Sequence, residues 1–140
     1  MKPFSIRCLD HAVLRVSNLE RSIDFYTRVL GCEVKKRRED LGLVHLGAGV
    51  SMLDLVDIAG KVGQRGGGPV VPEGPNMDHF CLRVDPFDAE AILAYLAREQ
   101  VKRLTDVEQR FGAEGTGPSI YIEDPDGNTV ELKGPALTPG

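Results

Sequence analysis

A short stretch that occurs twice in the chain decides the fold. Residues 10–16 read Asp-His-Ala-Val-Leu-Arg-Val, and residues 78–84 read Asp-His-Phe-Cys-Leu-Arg-Val. Five of the seven positions are identical, at an offset of 68 residues, which is about half of the 140-residue chain. Self-similarity at a fixed offset indicates two copies of one structural unit. The alternation of side chains within each copy predicts that the unit begins with a β-strand.

Each copy is followed by a pattern typical of one helix and then of three strands. After the first copy, Ser17 and Glu20 form an S-x-x-E capping box, which predicts a helix that ends at Gly31. After the second copy, residues 85–88 are expected to open a helix that runs to about Gln100. The strands are then predicted near residues 32–39, 41–46 and 51–58 in the first half, and near 103–110, 119–123 and 129–133 in the second. Each half is therefore predicted to be a βαβββ module.

The two modules are expected at about residues 6–58 and 77–134, within a single domain of the α+β class that spans 1–140. Residues 59–76 between them are rich in Gly and Pro and are predicted to be a linker or a mobile flap. In the second module, residues 124–128 read Asp-Pro-Asp-Gly-Asn, which predicts a turn between the last two strands.

Composition excludes several classes of protein. The chain is 41% hydrophobic and 27% charged with a net charge of −4, which is typical of a globular protein and argues against nucleic-acid binding. No apolar run approaches the roughly 20 residues of a membrane helix. The start of the chain has no apolar stretch behind it, so no signal peptide is expected. The cysteines are odd in number, without paired spacing, and predict reduced thiols in a cytoplasmic protein: Cys8, Cys32 and Cys81.

Both copies of the repeated strand carry a histidine and an arginine on one face. Because side chains alternate across a strand, His11 and Arg15 share one face in the first copy, and His79 and Arg83 share one face in the second. A sheet with a purely structural role would not be expected to repeat a histidine and an arginine on one face of the strand. The two arginines are candidates for binding a substrate anion, and surface salt bridges are the alternative. His45 has no counterpart in the repeat, and we expect it to be structural or exposed.

Each half also supplies one carboxylate near its end. Alignment of the two predicted hairpins puts Asp54 at the position of Glu131. Two imidazoles and two carboxylates form a mixed nitrogen and oxygen set that suits a divalent transition metal. Structural zinc sites favour closed, sulfur-rich shells, so the pattern predicts an open catalytic site.

These stretches resemble the vicinal oxygen chelate superfamily, which contains glyoxalase I, bleomycin-resistance proteins, fosfomycin-resistance proteins and extradiol dioxygenases. The resemblance covers nearly the whole chain and is carried by residues 9–16, 22–31 and 121–132. It implies paired βαβββ modules that form a cupped, barrel-like mixed β-sheet around a metal. It also implies that two chains pair as a homodimer, so that one site draws residues from both subunits.

The resemblance also implies roles for single residues. His11, His79 and Glu131 match metal-ligand positions of the family. Asp54 falls where glyoxalase I carries a glutamate ligand, and because aspartate is one methylene shorter it is expected to bind through water or not at all. Arg15 matches a position that contacts the glutathione carboxylate in bacterial-type glyoxalase I. The implied cofactor is one divalent ion per site, of nickel, cobalt, zinc, manganese or iron.

Three functions remain open at this point. The first is a metal-dependent lyase or isomerase of the glyoxalase type, with Glu131 as general base, which acts on a small substrate with vicinal oxygens through an enediolate-like intermediate. The second is an extradiol-type dioxygenase in which His11, His79 and Glu131 hold ferrous iron without Asp54. The third is a ligand-binding protein without catalysis, similar to bleomycin-resistance proteins. The substrate, the identity of the metal and any dependence on glutathione stay undetermined.

Overall fold

In the computed structural model of the chain, the two copies of the repeated stretch begin two separate sheets. The chain divides into two compact units, Met1–Val70 and Val71–Gly140, and each holds one sheet. The boundary falls inside the predicted linker 59–76. The structure describes residues 5–71, 73 and 77–139. Residues 72 and 74–76 of that linker, the first four residues of the chain and residue 140 lie outside the described residues.

The first unit contains a four-stranded mixed sheet and one helical segment. Strand β1 is parallel to β4, β3 is antiparallel to both β4 and β2, and the order is β1-β4-β3-β2. The helix α1 continues into a π-helical turn, Phe25–Val29. The elements are β1 (His11–Val16), α1 (Leu19–Asp24), β2 (Glu33–Arg38), β3 (Leu43–Ala48) and β4 (Ser51–Asp57).

The second unit repeats this topology. Strand β5 is parallel to β8, β7 is antiparallel to both β8 and β6, and the order is β5-β8-β7-β6. A short strand β9, which the sequence pattern does not predict, pairs with β7. The elements are β5 (Phe80–Arg83), α2 (Ala89–Arg98), β6 (Glu108–Gly112), β7 (Gly115–Glu123), β8 (Thr129–Lys133) and β9 (Thr138–Pro139). The predicted α+β class with two βαβββ modules is confirmed.

The first helix begins one residue later than the capping box predicts. Asn18 is the cap, because its backbone is extended and its side chain accepts a hydrogen bond from the backbone N–H of Arg21 at 3.0 Å. The Ser17 hydroxyl instead accepts from the Arg21 guanidinium. The Glu20 carboxylate, which would complete a capping box, pairs with Arg37 at 2.5 Å. The prediction of a Ser17–Glu20 box is therefore wrong.

One predicted strand is displaced along the chain. The pattern placed it near residues 103–110, whereas β6 occupies Glu108–Gly112. Before it, only Arg103 makes an isolated bridge, to Ile122. The tight hairpin between β6 and β7, which pairs Gly112 with Gly115, determines where β6 can pair.

The apolar faces of the sheets form the cores of the two units. Val16, Leu46 and Leu55 are fully buried in the first unit, where α1 packs against β4. Ile120 and Val130 are fully buried in the second unit. The histidine and arginine rows lie on the opposite faces, because side chains alternate along each strand. Neither α-helix in the described part of the chain is long and apolar enough to span a membrane.

Candidate metal and substrate site

The repeat reproduces the environment of each histidine as well as its position. His11 Nδ1 is 2.8 Å from Asp10 Oδ1, and His79 Nδ1 is 2.7 Å from Asp78 Oδ2. An ionised carboxylate can only accept, so Nδ1–H is the donor, and in the neutral imidazole Nε2 then carries the lone pair. A carboxylate on one ring nitrogen is the usual arrangement that orients a metal-binding histidine. Both imidazoles therefore present Nε2 as the atom for a further ligand.

The register of each sheet places the two carboxylates at equivalent positions. Asp54 on β4 lies opposite Val13 on β1, and Glu131 on β8 lies opposite Cys81 on β5. In both units the carboxylate is beside the residue that follows the histidine by two positions. This register agrees with the alignment of the two hairpins from sequence. Strands β4 and β8 are interior strands, and both carboxylate residues are 5% exposed.

In the second unit, Glu131 is held by contacts to both of its oxygens. Its Oε1 lies 3.1 Å from His79 Nε2, and the fully buried Ser119 hydroxyl donates to Oε2 at 2.6 Å. The Tyr121 ring packs edge-on against the His79 ring, with centroids 5.2 Å apart. Since His79 donates through Nδ1, its Nε2 and Glu131 Oε1 face each other as two acceptors unless a proton or a cation lies between them.

The turn between β7 and β8 sets the register of Glu131. The Asp124 carboxylate accepts hydrogen bonds from the backbone of Asp126 at 2.9 Å and from the backbone and side chain of Asn128, each at 2.8 Å. Gly127 adopts a positive φ of 82°, which favours glycine. The predicted turn is therefore formed, and it places Tyr121 directly opposite Glu131.

The Cys81 thiol and the Tyr121 hydroxyl lie beside the Glu131 carboxylate. Burial, and then the proximity of Glu131, raises the pKa of the Cys81 thiol to about 12. The same two causes raise the pKa of the Tyr121 hydroxyl, and Arg110 opposes them. Near neutral pH both groups are protonated, so Cys81 is no thiolate nucleophile in this environment.

In the first unit, Asp54 has a different neighbour. His45 on β3 lies opposite it, with Nδ1 2.9 Å from Asp54 Oδ1. The contact is not aligned as a hydrogen bond, and among the described residues nothing else bonds to this buried Oδ1. The pKa of His11 is raised, chiefly by its hydrogen bond with Asp10 and further by the charge of Asp54.

Of the two expectations for His45, structural or exposed, the second is wrong, and its contact with Asp54 was not predicted. The residue is half-buried rather than exposed, and it contacts a candidate ligand. Strand alternation contained a signal, because the buried Val44 and Leu46 flank it and direct it to the opposite face. Ser119 was missed as well, since nothing in its local pattern indicates a contact with a carboxylate 12 residues further along the chain.

Arg15 is held by the backbone of residues 63–68, the Gly-rich segment at the start of the predicted linker. Its Nε donates to the carbonyl of Gly63 at 3.0 Å, and its Nη2 donates to Gly67 at 3.0 Å and to Gly68 at 2.9 Å. A Cβ on Gly66 would lie 2.1 Å from Arg15 Nε, so only glycine permits this approach. The first part of the predicted linker is thus ordered against the first unit. No carboxylate pairs with Arg15 among the residues that the structure describes.

Arg83 has a different environment from its repeat partner. Its Nε donates to Glu114 Oε1 at 2.5 Å, and its Nη2 lies 4.0 Å from Asp85. A salt bridge therefore already compensates the charge of Arg83, which was the alternative expected from sequence. Of the two repeated arginines, only Arg15 keeps a charge that no carboxylate balances within the described residues.

The four predicted metal ligands occur as two pairs, one in each unit. His79 and Glu131 are in contact, and His11 and Asp54 act on each other electrostatically. Within residues 5–71, 73 and 77–139, no group of three or more His, Cys, Asp or Glu side chains is arranged to hold a metal. Each pair alone offers one nitrogen and one oxygen donor, which is half of a complete coordination set.

Two βαβββ modules, each with a histidine and a carboxylate on one face of its sheet, define the class of the protein. The sequence profile of the Glyoxalase/Bleomycin resistance protein/Dioxygenase superfamily matches residues 8–132. The chain therefore belongs to this superfamily, as the resemblance of its motifs predicts. The superfamily includes many enzymes.

The chain is also similar to individual known proteins in sequence and in fold. The chain is 28% identical over 135 residues to the glyoxalase domain-containing protein RDO1 of Mycosarcoma maydis, covering 94% of this chain and 70% of that protein. It is 30% identical over 129 residues to a lactoylglutathione lyase of Escherichia coli O157:H7, covering 87% and 88%. A virulence protein of Salmonella typhimurium has the same fold, with a TM-score of 0.77, 24% identity and coverage of 95% and 100%.

Proposed function

We propose that this chain is a metal-dependent enzyme of the glyoxalase type, a lyase or isomerase that removes a proton beside a carbonyl group of a small substrate with vicinal oxygens. One observation carries the proposal. In both halves of the chain an aspartate holds the Nδ1 of the following histidine, so that Nε2 is the ring nitrogen that would bind a metal, and in the second unit Nε2 faces Glu131, a proposed ligand of the same ion. The repeat duplicates the aspartate contact that orients each histidine as well as the histidine itself. This favours metal binding over a structural role for the histidines.

The donors present suit a divalent ion. The proposed ligands are His11, Asp54, His79 and Glu131, taken from one chain or from the two chains of a homodimer. The buried Asp54 Oδ1 has no hydrogen bond among the described residues, and Glu131 Oε1 lies 3.1 Å from His79 Nε2. A bound cation would compensate the charge of both carboxylates, and nitrogen and carboxylate donors together suit nickel, cobalt, zinc, manganese or iron.

Glu131 is the proposed general base. The Ser119 hydroxyl holds its Oε2, so that Oε1, when it is not bound to the metal, is the oxygen left to accept a proton. A bound divalent ion would polarise the substrate oxygens and so make the neighbouring carbon more acidic. Arg15 is the proposed partner of an anionic group of the substrate, because its charge has no carboxylate to balance it within the described chain. Arg83 was a candidate for the same role, but its salt bridge to Glu114 weakens that part of the proposal.

Further parts of the proposal concern organisation and location. The modules at 6–58 and 77–134 are proposed to form one domain, and two chains are proposed to pair. A cytoplasmic location is supported by the cysteines, because Cys8, Cys32 and Cys81 are all free thiols.

A specific contact favours a second candidate function. If Asp54 stays with His45, which is 2.9 Å away, the remaining donors are His11, His79 and Glu131. Two histidines and one carboxylate are the ligand set of ferrous oxygenases. The second candidate is therefore an extradiol-type dioxygenase.

Elemental analysis of untagged protein tests these proposals. The samples are the wild type, His11→Ala, Glu131→Ala and a control, Glu123→Ala, which removes a carboxylate on β7 that pairs with Lys102. Circular dichroism verifies that each variant is folded. About one divalent ion per site in the wild type and control, lost from both ligand variants, is the expected result.

The outcomes separate the candidate functions. Nickel, cobalt, zinc or manganese supports the glyoxalase-type enzyme, and a screen of α-oxo and hydroxy acids follows. Iron together with oxygen uptake on addition of catechols supports the dioxygenase. If no metal is present and none is taken up on reconstitution, both enzyme proposals are refuted and a ligand-binding protein takes their place.

A further inference from the structure

Lys133, the last residue of β8, has a buried side-chain stem, and the proposed function does not use its charge. Its exposed fraction is 6%, and it lies in register with Arg83 on β5 and Ser119 on β7. It follows Glu131 by two residues, so both side chains extend from the same face of the strand. The candidate base and the ammonium group of Lys133 are therefore neighbours on one face of the second sheet.

Within the described part of the chain, Lys133 has neither a counter-ion nor a hydrogen-bond partner. Nearby carboxylates are engaged elsewhere, since Glu114 pairs with Arg83, and Glu131 contacts His79 and Ser119. Lysine is almost never fully buried unless it is paired, and removing an ion from water costs several kcal/mol. Among the described residues Asp54 Oδ1 is the only buried side-chain nitrogen or oxygen atom without a hydrogen-bond partner, so the Lys133 ammonium group reaches solvent and is accessible to a ligand.

The space for the Lys133 side chain is built into the fold. A Cβ on Gly112 would lie 2.7 Å from Lys133 Cε and 3.1 Å from Cδ, so the absence of a side chain on β6 makes room for the lysine stem. The charge of Lys133 also reaches Cys81, where it opposes the rise of the thiol pKa. The ammonium group is therefore directed along the face that carries Cys81 and Glu131.

We propose that Lys133 binds an oxyanion group, a carboxylate or a phosphate, of the molecule on which Glu131 acts. An anion at this position would supply the charge that the free protein lacks and would make short, charge-assisted hydrogen bonds to the ammonium group. Its place two residues from Glu131 would orient the anion-bearing substrate relative to the base. The second part of this inference rests on the proposed function, whereas binding of the anion does not.

The test compares Lys133→Met and Lys133→Arg with the wild type. Lys36→Met is the matched control, because it removes the same charge from an exposed position on β2. Full-length proteins are titrated with sodium phosphate and, separately, with sodium acetate at constant ionic strength, and binding is followed by the thermal midpoint and by calorimetry. Phosphate and acetate distinguish the two chemical sources of the oxyanion.

The expected result has two parts. Without added anion, Lys133→Met and Lys36→Met both unfold close to the wild-type temperature, because neither substitution removes an ion pair of the described chain. At least one anion binds the wild type, Lys36→Met and Lys133→Arg, and binds Lys133→Met at least tenfold more weakly. Equal affinity in the wild type and Lys133→Met, or no binding of either anion to the wild type, overturns the proposal.

Two further measurements keep the result unambiguous. If Lys133→Met does not fold, the Lys133 side-chain NMR signals of the wild type are followed during the same titrations, and signals that do not move overturn the proposal. His11→Ala, which lacks a proposed metal ligand in the other unit, is titrated in parallel. Unchanged anion binding in His11→Ala shows that Lys133 acts without the metal, so the inference stands even where the proposed function fails. Loss of binding in that variant overturns it.

Discussion

Replacement of Gly66 by alanine should release Arg15 from the Gly-rich segment. The new Cβ would lie 2.1 Å from Arg15 Nε and 2.5 Å from Cζ, far inside van der Waals contact. The arginine side chain is long and mobile, so it moves away more easily than the backbone of the short helical turn Gly63–Gly66 does. Gly68→Ala is the matched control, because a Cβ there meets nothing within 4 Å.

The magnitude follows from the hydrogen bonds that Arg15 loses. The bond to Gly63 is partly buried and is worth ~1 kcal/mol, and the two exposed bonds to Gly67 and Gly68 are worth ~0.5 kcal/mol each. Loss of all three reduces the free energy of local opening by about 2 kcal/mol. Because 1.4 kcal/mol is a factor of ten, the open population of the segment rises about 30-fold.

Hydrogen exchange followed by mass spectrometry measures this opening. The peptide that covers residues 59–71 contains three amides protected by bonds within the turn, those of Gln64, Arg65 and Gly67. Their exchange should accelerate about 30-fold in Gly66→Ala and remain at the wild-type rate in Gly68→Ala. Wild-type exchange in Gly66→Ala, or equal acceleration in both variants, would refute the reasoning.

A double-mutant cycle identifies Arg15 as the cause. If Gly66→Ala acts by displacing Arg15, then it has no further effect in a protein that already carries Arg15→Ala. Additive effects of the two substitutions would mean that the alanine disturbs the turn itself.

Three other predictions concern stability and reactivity. Asn18→Ala should lower the free energy of unfolding by ~1 kcal/mol and the thermal midpoint by about 3 °C, whereas Ser17→Ala should change little. A larger loss of stability in Ser17→Ala than in Asn18→Ala would instead support the predicted Ser17–Glu20 capping box. Ser119→Ala should cost ~2 kcal/mol, because Glu131 loses a buried, charge-assisted hydrogen bond, and an unchanged urea midpoint would contradict this. Burial raises the pKa of Cys32, so iodoacetamide at pH 8 should modify this thiol more than tenfold more slowly than free cysteine. The difference should disappear when the protein is unfolded. Equal rates for folded protein and free cysteine would show that the Cys32 thiol is accessible.

The topology and the candidate histidines could be predicted from the sequence because they depend on local or periodic signals. The repeat at 10–16 and 78–84 determines that two units share one topology, and alternation along a strand determines which side chains share a face. The turn at 124–128 could be predicted for the same reason, because Asp and Asn bond to backbone within a few residues. For these features, the interacting atoms belong to the same short stretch of chain.

The contacts that give the site its chemistry were decided by tertiary structure. Alternation cannot say which strands are neighbours or in which register, so the meeting of Asp54 with His45 and of Ser119 with Glu131 appears only when the sheets are formed. In the same way, Arg15 meets carbonyls about 50 residues away. The sequence by itself determined two βαβββ units and the faces of their strands. Only the packing of distant segments decided which charges are balanced and which, like that of Lys133, have no partner in the described chain, because these contacts join residues that no local pattern connects.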